Sequence, residues 1–264
     1  GMRHLFVYST VKFHLSPPYK SCAISLYKLD FFISKKFLLI KYLISIVCPR
    51  SMDCGHLLNR TNLMKSQDIY VLLKIVSLEH SKGSQLYNRG LSEPAGWSSD
   101  DPDVSLPEIS NAPFSLRALS AHTGIGKSEV GNSLRRSEYS GLCRSPSDGG
   151  SIKVNKKALL EFLVYGLKYV FPVRPGAMVR GIPTGFFAPS LSKNLLSVSE
   201  DAWVWPDAYG SMKGQAIEPL HSKVPKGVKI DSELYTLMAL TDALRLGKPR
   251  EVGVATELLR EKLR

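Results

Sequence analysis

Asn132 and Arg135 carry the most specific chemistry that the order of residues offers. Asn and Arg have flat, forked polar groups that match the edges of adenine and guanine through paired hydrogen bonds. Here they stand three apart in Lys127-Ser128-Glu129-Val130-Gly131-Asn132-Ser133-Leu134-Arg135-Arg136. On a helical wheel of about 100° per residue, Val130 and Leu134 form an apolar side. Ser128, Asn132 and Arg135 fall opposite it, with Arg136 and Glu129 at the margin. Such a face either reads base edges or is the solvated side of an ordinary helical hairpin.

The preceding residues must position that helix. Leu116-Arg117-Ala118-Leu119-Ser120-Ala121 has helical spacing, with Leu116 and Leu119 expected to face inward and small Ser120 expected to allow close helix approach. Gly124 suits the positive φ of a tight turn, and Ile125 is placed to plug the core after it. Glu129 near the start of the second helix favours its dipole. The pattern predicts a helix-turn-helix. Gly124-Ile125-Gly126-Lys127-Ser128 also ends like a phosphate-binding loop. That motif requires glycine where Ala121 stands, and a preceding strand where the spacing is helical. Gly131 is a misfit in mid-helix, costing roughly 1 kcal/mol against Ala unless a phosphate must come close there. His122 is expected to face solvent or a phosphate.

Downstream, Gly141-Leu142-Cys143-Arg144-Ser145 and Ser151-Ile152-Lys153-Val154-Asn155 flank Pro146-Ser147-Asp148-Gly149-Gly150. Asp-Gly between two such runs predicts a β-hairpin. A hairpin directly after a DNA-reading helix is a wing, and Arg144 and Lys153 on it are placed for phosphates. With Thr123-Gly124-Ile125-Gly126-Lys127-Ser128-Glu129-Val130, Ser133-Leu134-Arg135-Arg136 and Gly141-Leu142, residues 64–171 resemble bacterial winged helix-turn-helix transcriptional regulators of the multiple-antibiotic-resistance type. The resemblance implies a homodimer on double-stranded DNA at a pseudo-palindromic operator. The DNA-contacting residues are then expected to be Lys127, Ser128, Asn132, Arg135, Arg136, Arg144 and Lys153.

The elements around this segment are less specific. Ser66 is expected to cap a helix over 67–78 that is apolar on nearly every side, so it is buried on two fronts. Residues 81–113 read as a loop, tacked down by Leu91 and Trp97, with Asp100, Asp101 and Asp103 solvated. Asn155 caps an apolar run, 156–171, buried between domains, across a dimer seam or within one core. Residues 172–231 are rich in Pro and Gly and read as extended or looped, with Arg174 and Arg180 in a basic strip and period-two character at Trp203-Val204-Trp205. Trp203, Trp205, Tyr209 and His221 either line an effector pocket or are plain core. Asp231 and Ser232 cap a helix that Gly247 and Pro249 end, and a last helix runs from about Arg250 to Leu263.

Composition bounds the whole. The 264 residues are 44% hydrophobic and 22% charged, with a net charge of +12. This fits a globular chain with a polyanionic partner and excludes wholesale disorder. Nine Lys or Arg against two acids fall in residues 1–63, which lack Glu, Gln and Trp and hold three of the four cysteines. Residues 1–63 are expected to be a dispensable or non-native extension, with Met52 or Met64 as the true start. An extra subdomain and a membrane element are the alternatives, although lysines interrupt the one apolar stretch. No metal spacing and no catalytic set emerges, so neither enzyme activity nor a cofactor is expected.

These readings predict a mainly α fold: a winged helix-turn-helix domain with a small β-hairpin over 64–171, then a loop-rich region, 172–264, ending in two helices. The expected function is a cytoplasmic, sequence-specific DNA-binding regulator acting as a dimer. A small-molecule or protein effector is possible, and no membrane is involved. The alternative is a protein-interaction module of the antitoxin or scaffold type.

Overall fold

The computed structural model describes residues 63–82, 96–98, 101, 112–145, 151–192 and 202–264. These belong to the compact unit His56–Arg264. The expectations for residues 1–62, for Leu91, Asp100 and Asp103, and for the hairpin tip at 146–150 lie outside the described residues.

Helix α1, Ser66–Lys82, is the hub. Its residues from Asp68 to Val76 have no exposed surface, as its all-round apolar sequence predicts. It packs on α2 (Leu116–Thr123), α3 (Lys127–Tyr139) and the later α7 (Ser232–Leu246). Between them come β1 (Cys143–Arg144) and β2 (Lys153–Val154), an antiparallel pair, then α4 (Lys156–Tyr165) and short α5 (Leu167–Val170). Asn155 caps α4 as expected, accepting from the Ala158 amide at 3.2 Å. The run 156–171 is buried along one stripe only, Leu159, Leu163 and Leu167. Tyr165 and Tyr169 stand exposed on its other side, and Val170 is exposed at the end of α5.

The Pro- and Gly-rich stretch read as extended or looped holds a small sheet. β3 (Met178–Pro183) pairs antiparallel with both β4 (Trp203–Pro206) and β5 (Met212–Ala216), while β4 and β5 pair in parallel. The three strands close into a ring. A Cβ on Gly181 would strike the Trp205 carbonyl, and one on Gly214 the Ala202 carbonyl, so the glycines permit the closure. Helices α6 (Val224–Val228), α7 and α8 (Pro249–Lys262) complete the unit. Asp231 caps α7 through the Leu234 amide, Gly247 ends it, and Pro249 opens α8. The fold is therefore mixed, mostly helical with a small sheet.

Buried charges tie these pieces together. Lys74, with no exposed surface, meets Asp231 at 2.6 Å, and Ser77 donates to the same carboxylate. Burial pushes the Asp231 carboxyl up, but Lys74, the Leu234 amide and Ser77 outweigh it and hold it below the usual range. Asp242 on α7 accepts from Thr184 at 2.9 Å, Trp205 Nε1 at 2.7 Å and Arg245 at 2.8 Å, fastening the ring to the helix. Asp101, expected in a solvated loop, is buried against Lys229, which also holds Asp207. A buried ammonium needs such partners, and the loop supplies one.

Candidate nucleic-acid interface

The turn between α2 and α3 is built by a few local bonds. Ser115 caps α2 by accepting from the Ala118 amide at 3.2 Å. Gly124 takes φ 68° and donates to the Ser120 carbonyl at 2.9 Å, closing the helix. Thr123 accepts the Ile125 amide at 3.3 Å, and the Ser120 hydroxyl donates to the Ile125 carbonyl at 2.7 Å. Ile125 is thereby driven into the core, where it is buried. Because Leu116–Thr123 is a helix, the turn lacks the strand that a phosphate-binding loop requires.

Two expectations at this hairpin are corrected. Leu116 is 37% exposed rather than inward. Its Cδ1 lies over Gly131, 3.8 Å from where a Cβ would stand. His122 is buried rather than solvent-facing, because α6 packs on α2. Burial, and then the charge of Lys74, lower its pKa to about 4.

Helix α3 turns Val130 and Leu134 into the core together with Ser133 and Ser137. Lys127, Ser128 and Arg135 are exposed, and Asn132 is half-buried. Arg136 is the exception among the expected DNA-contacting residues. It is only 4% exposed and grips Asp68 of α1 with two bonds, Nε at 2.8 Å and Nη2 at 2.7 Å. A residue at the margin of a wheel goes inward when the facing helix offers a carboxylate, and Asp68 does so here. Asp68 also accepts the Lys65 amide at 2.8 Å.

On the hairpin, Arg144 and Lys153 are both exposed and directly opposite each other in register. Like charges facing across an antiparallel pair destabilise it, so this arrangement is unfavourable without an anion nearby. Three further exposed groups adjoin the surface. Arg117 lies on α2, and Tyr139 ends α3 on the side of Ser128 and Arg135. Lys223 places its Cγ 3.5 Å from a Cβ position on Gly124, at the turn itself. Tyr139 was legible on the same wheel. Lys223 was not, since 99 residues of chain separate it from Gly124.

Of the aromatic set read as either pocket lining or plain core, Trp203 is buried with the core. Trp205 is core, bonded to Asp242, while Tyr209 is 40% exposed and His221 stacks on Tyr70 at 6.1 Å. Among the described residues no three His, Cys, Asp or Glu side chains come together in a way that would hold a metal ion. No helix among them is long and apolar enough to cross a membrane. Compared with known proteins, the chain matches no family model, no curated protein and no solved structure.

Proposed function

We propose that this protein is a sequence-specific transcriptional regulator that binds double-stranded DNA as a homodimer through a winged helix-turn-helix. The observation that carries the reading is the solvent face of α3. Ser128, Asn132 and Arg135 stand outward on a helix whose other side, Val130 and Leu134, is fixed in the core. Helix-turn-helix proteins lay this kind of face into the major groove, which is wide enough to take a helix. Arg144 and Lys153 on the β1–β2 hairpin, with Arg117, Lys127 and Lys223, supply exposed cations around it. Phosphates flanking the groove would relieve the Arg144–Lys153 repulsion. Tyr165, Tyr169 and Val170 are large exposed hydrophobic residues that a second copy of the chain would cover.

The experiment is a selection of binding sequences from a random duplex pool with the full chain, followed by titration at several salt concentrations. An enriched inverted repeat, bound with a strong salt dependence, is the expected outcome. Absence of any enrichment overturns the proposal. The second reading, a protein-interaction module, is favoured by the same exposed Tyr165, Tyr169 and Val170 if they seat a different protein. In that case no duplex is selected, and Tyr165→Glu abolishes capture of the partner.

A further inference from the structure

Among the described residues elsewhere, Tyr70, Lys74 and His122 are buried around Asp231, and Cys143 is buried too. The polar face of α3 carries more. Glu129, Asn132 and Arg135 are spaced three apart and joined side chain to side chain. Asn132 Nδ2 donates to Glu129 Oε1 at 2.8 Å, and Arg135 Nη2 donates to Asn132 Oδ1. The other Glu129 oxygen accepts from Gln67 Nε2 of α1 at 3.0 Å, with Lys65 Nζ 3.9 Å away. The Asn132 amide has one workable orientation, because the reverse would set its NH2 against a guanidinium and its oxygen against a carboxylate.

We infer that Arg135 is the base-reading residue of this helix, selecting guanine, and that Asn132 and Glu129 are positioning residues that hold it. This rests on the DNA-binding reading above and sharpens it. Bidentate recognition of adenine needs both the donor and the acceptor of an Asn amide. In Asn132 one of the two N–H groups and one of the two carbonyl lone pairs are already engaged within the helix face, and the side chain is half-buried, so the amide is tied to Glu129 and Arg135. Arg135 has spent one of five N–H groups and remains exposed, so it retains the fork that matches guanine O6 and N7. The chain of bonds anchors that fork to the buried helix α1 through Gln67. Ordering a long side chain before binding reduces the entropy lost on contact.

The test is the base preference, position by position, of the full chain and of Arg135→Ala, Asn132→Ala, Glu129→Gln and the Asn132→Ala/Arg135→Ala double variant, using the random duplex pool. Arg135→Ala is expected to lose a guanine preference of about 5- to 150-fold at one position per half-site. Asn132→Ala and Glu129→Gln weaken the preference at that same position and no other. The double variant matches Arg135→Ala alone within about twofold, since the residues act as one unit. Loss of an adenine preference at a second position in Asn132→Ala, with the guanine preference intact, overturns the inference and leaves DNA binding standing. So does an unchanged profile in Glu129→Gln. A native chain that selects no sequence overturns the DNA-binding reading and this inference together. All four variants alter the surface of α3, and a thermal melt of each checks that the fold is kept.

Discussion

Replacing Arg136 by Met removes a guanidinium from a closed site and leaves its volume roughly filled. In the native chain the pair is held by two charge-assisted bonds, at 2.8 Å and 2.7 Å. The Arg136 side chain is 4% exposed and that of Asp68 is wholly buried. After the substitution, the Lys65 amide at 2.8 Å remains on the stranded carboxylate. Breaking a buried pair from one side costs about 3–5 kcal/mol, because a buried charge is left uncompensated. With a urea slope of about 1–3 kcal/mol/M, the unfolding midpoint should fall by about 1–5 M. The double variant Asp68→Leu/Arg136→Met should recover most of the loss, since replacing both ions by apolar groups is often neutral. Urea titration of the native chain, both single variants and the double variant gives the coupling energy directly. A loss below about 1 kcal/mol in Arg136→Met, with no coupling to Asp68, would refute the buried-pair argument. Loss of base preference with stability intact would return Arg136 to the reading face.

Gly131→Ala should stabilise the protein by about 0.5–1 kcal/mol, because the nearest atom to the added Cβ is Leu116 Cδ1 at 3.8 Å; a lower melting temperature would contradict this. His122 has its pKa lowered from 6.5 to about 4 in the fold, so the unfolded chain takes up a proton that the native chain refuses over that interval. Stability is therefore full above about pH 6.5 and declines as the pH falls towards 4, and His122→Gln should flatten that limb in a pH series of urea titrations. An identical limb in the variant would exclude His122 as its source. Lys153→Ala and Lys223→Ala should each weaken binding to all duplexes alike and lower the salt slope by about one, leaving base preference unchanged. For Lys153→Ala this should come without loss of stability, as the facing Arg144 is relieved of a like charge; unchanged salt slopes would remove these residues from the interface.

How much of this was readable beforehand depends on the range of the forces involved. Asn155, Asp231, Gly247 and Pro249 mark helix ends because their side chains and backbone act on residues three or four away. The turn at Gly124 and the inward pair Val130–Leu134 follow from similarly local rules. Distant partners were not readable. Arg136 turns inward for Asp68, 68 residues earlier, and Lys229 buries Asp101, 128 residues earlier. The ring of β3, β4 and β5 hides for the same reason. Its strands are four to six residues long, carry Gly181, Pro183 and Gly214, and show period-two character only at Trp203–Trp205. At the candidate site the residue types on α3 were visible in sequence. The bonds that engage Asn132 on both sides were not, since a helical wheel gives direction and no contacts.

The pairing of Lys74 with Asp231 spans 157 residues, and this sets an order for biosynthesis. A ribosome adding about 5–20 residues per second needs about 8–30 s to make the partner after the lysine has been polymerised. Throughout that interval α1 has emerged, or is emerging, with an apolar circumference and an unpaired ammonium, while α7, which covers one side of it, does not yet exist. Apolar surface exposed for that long is prone to aggregation until its partner helix arrives. A chain cut short before α7 would leave Lys74 without Asp231 and one side of the hub helix uncovered, even with α2 and α3 in place.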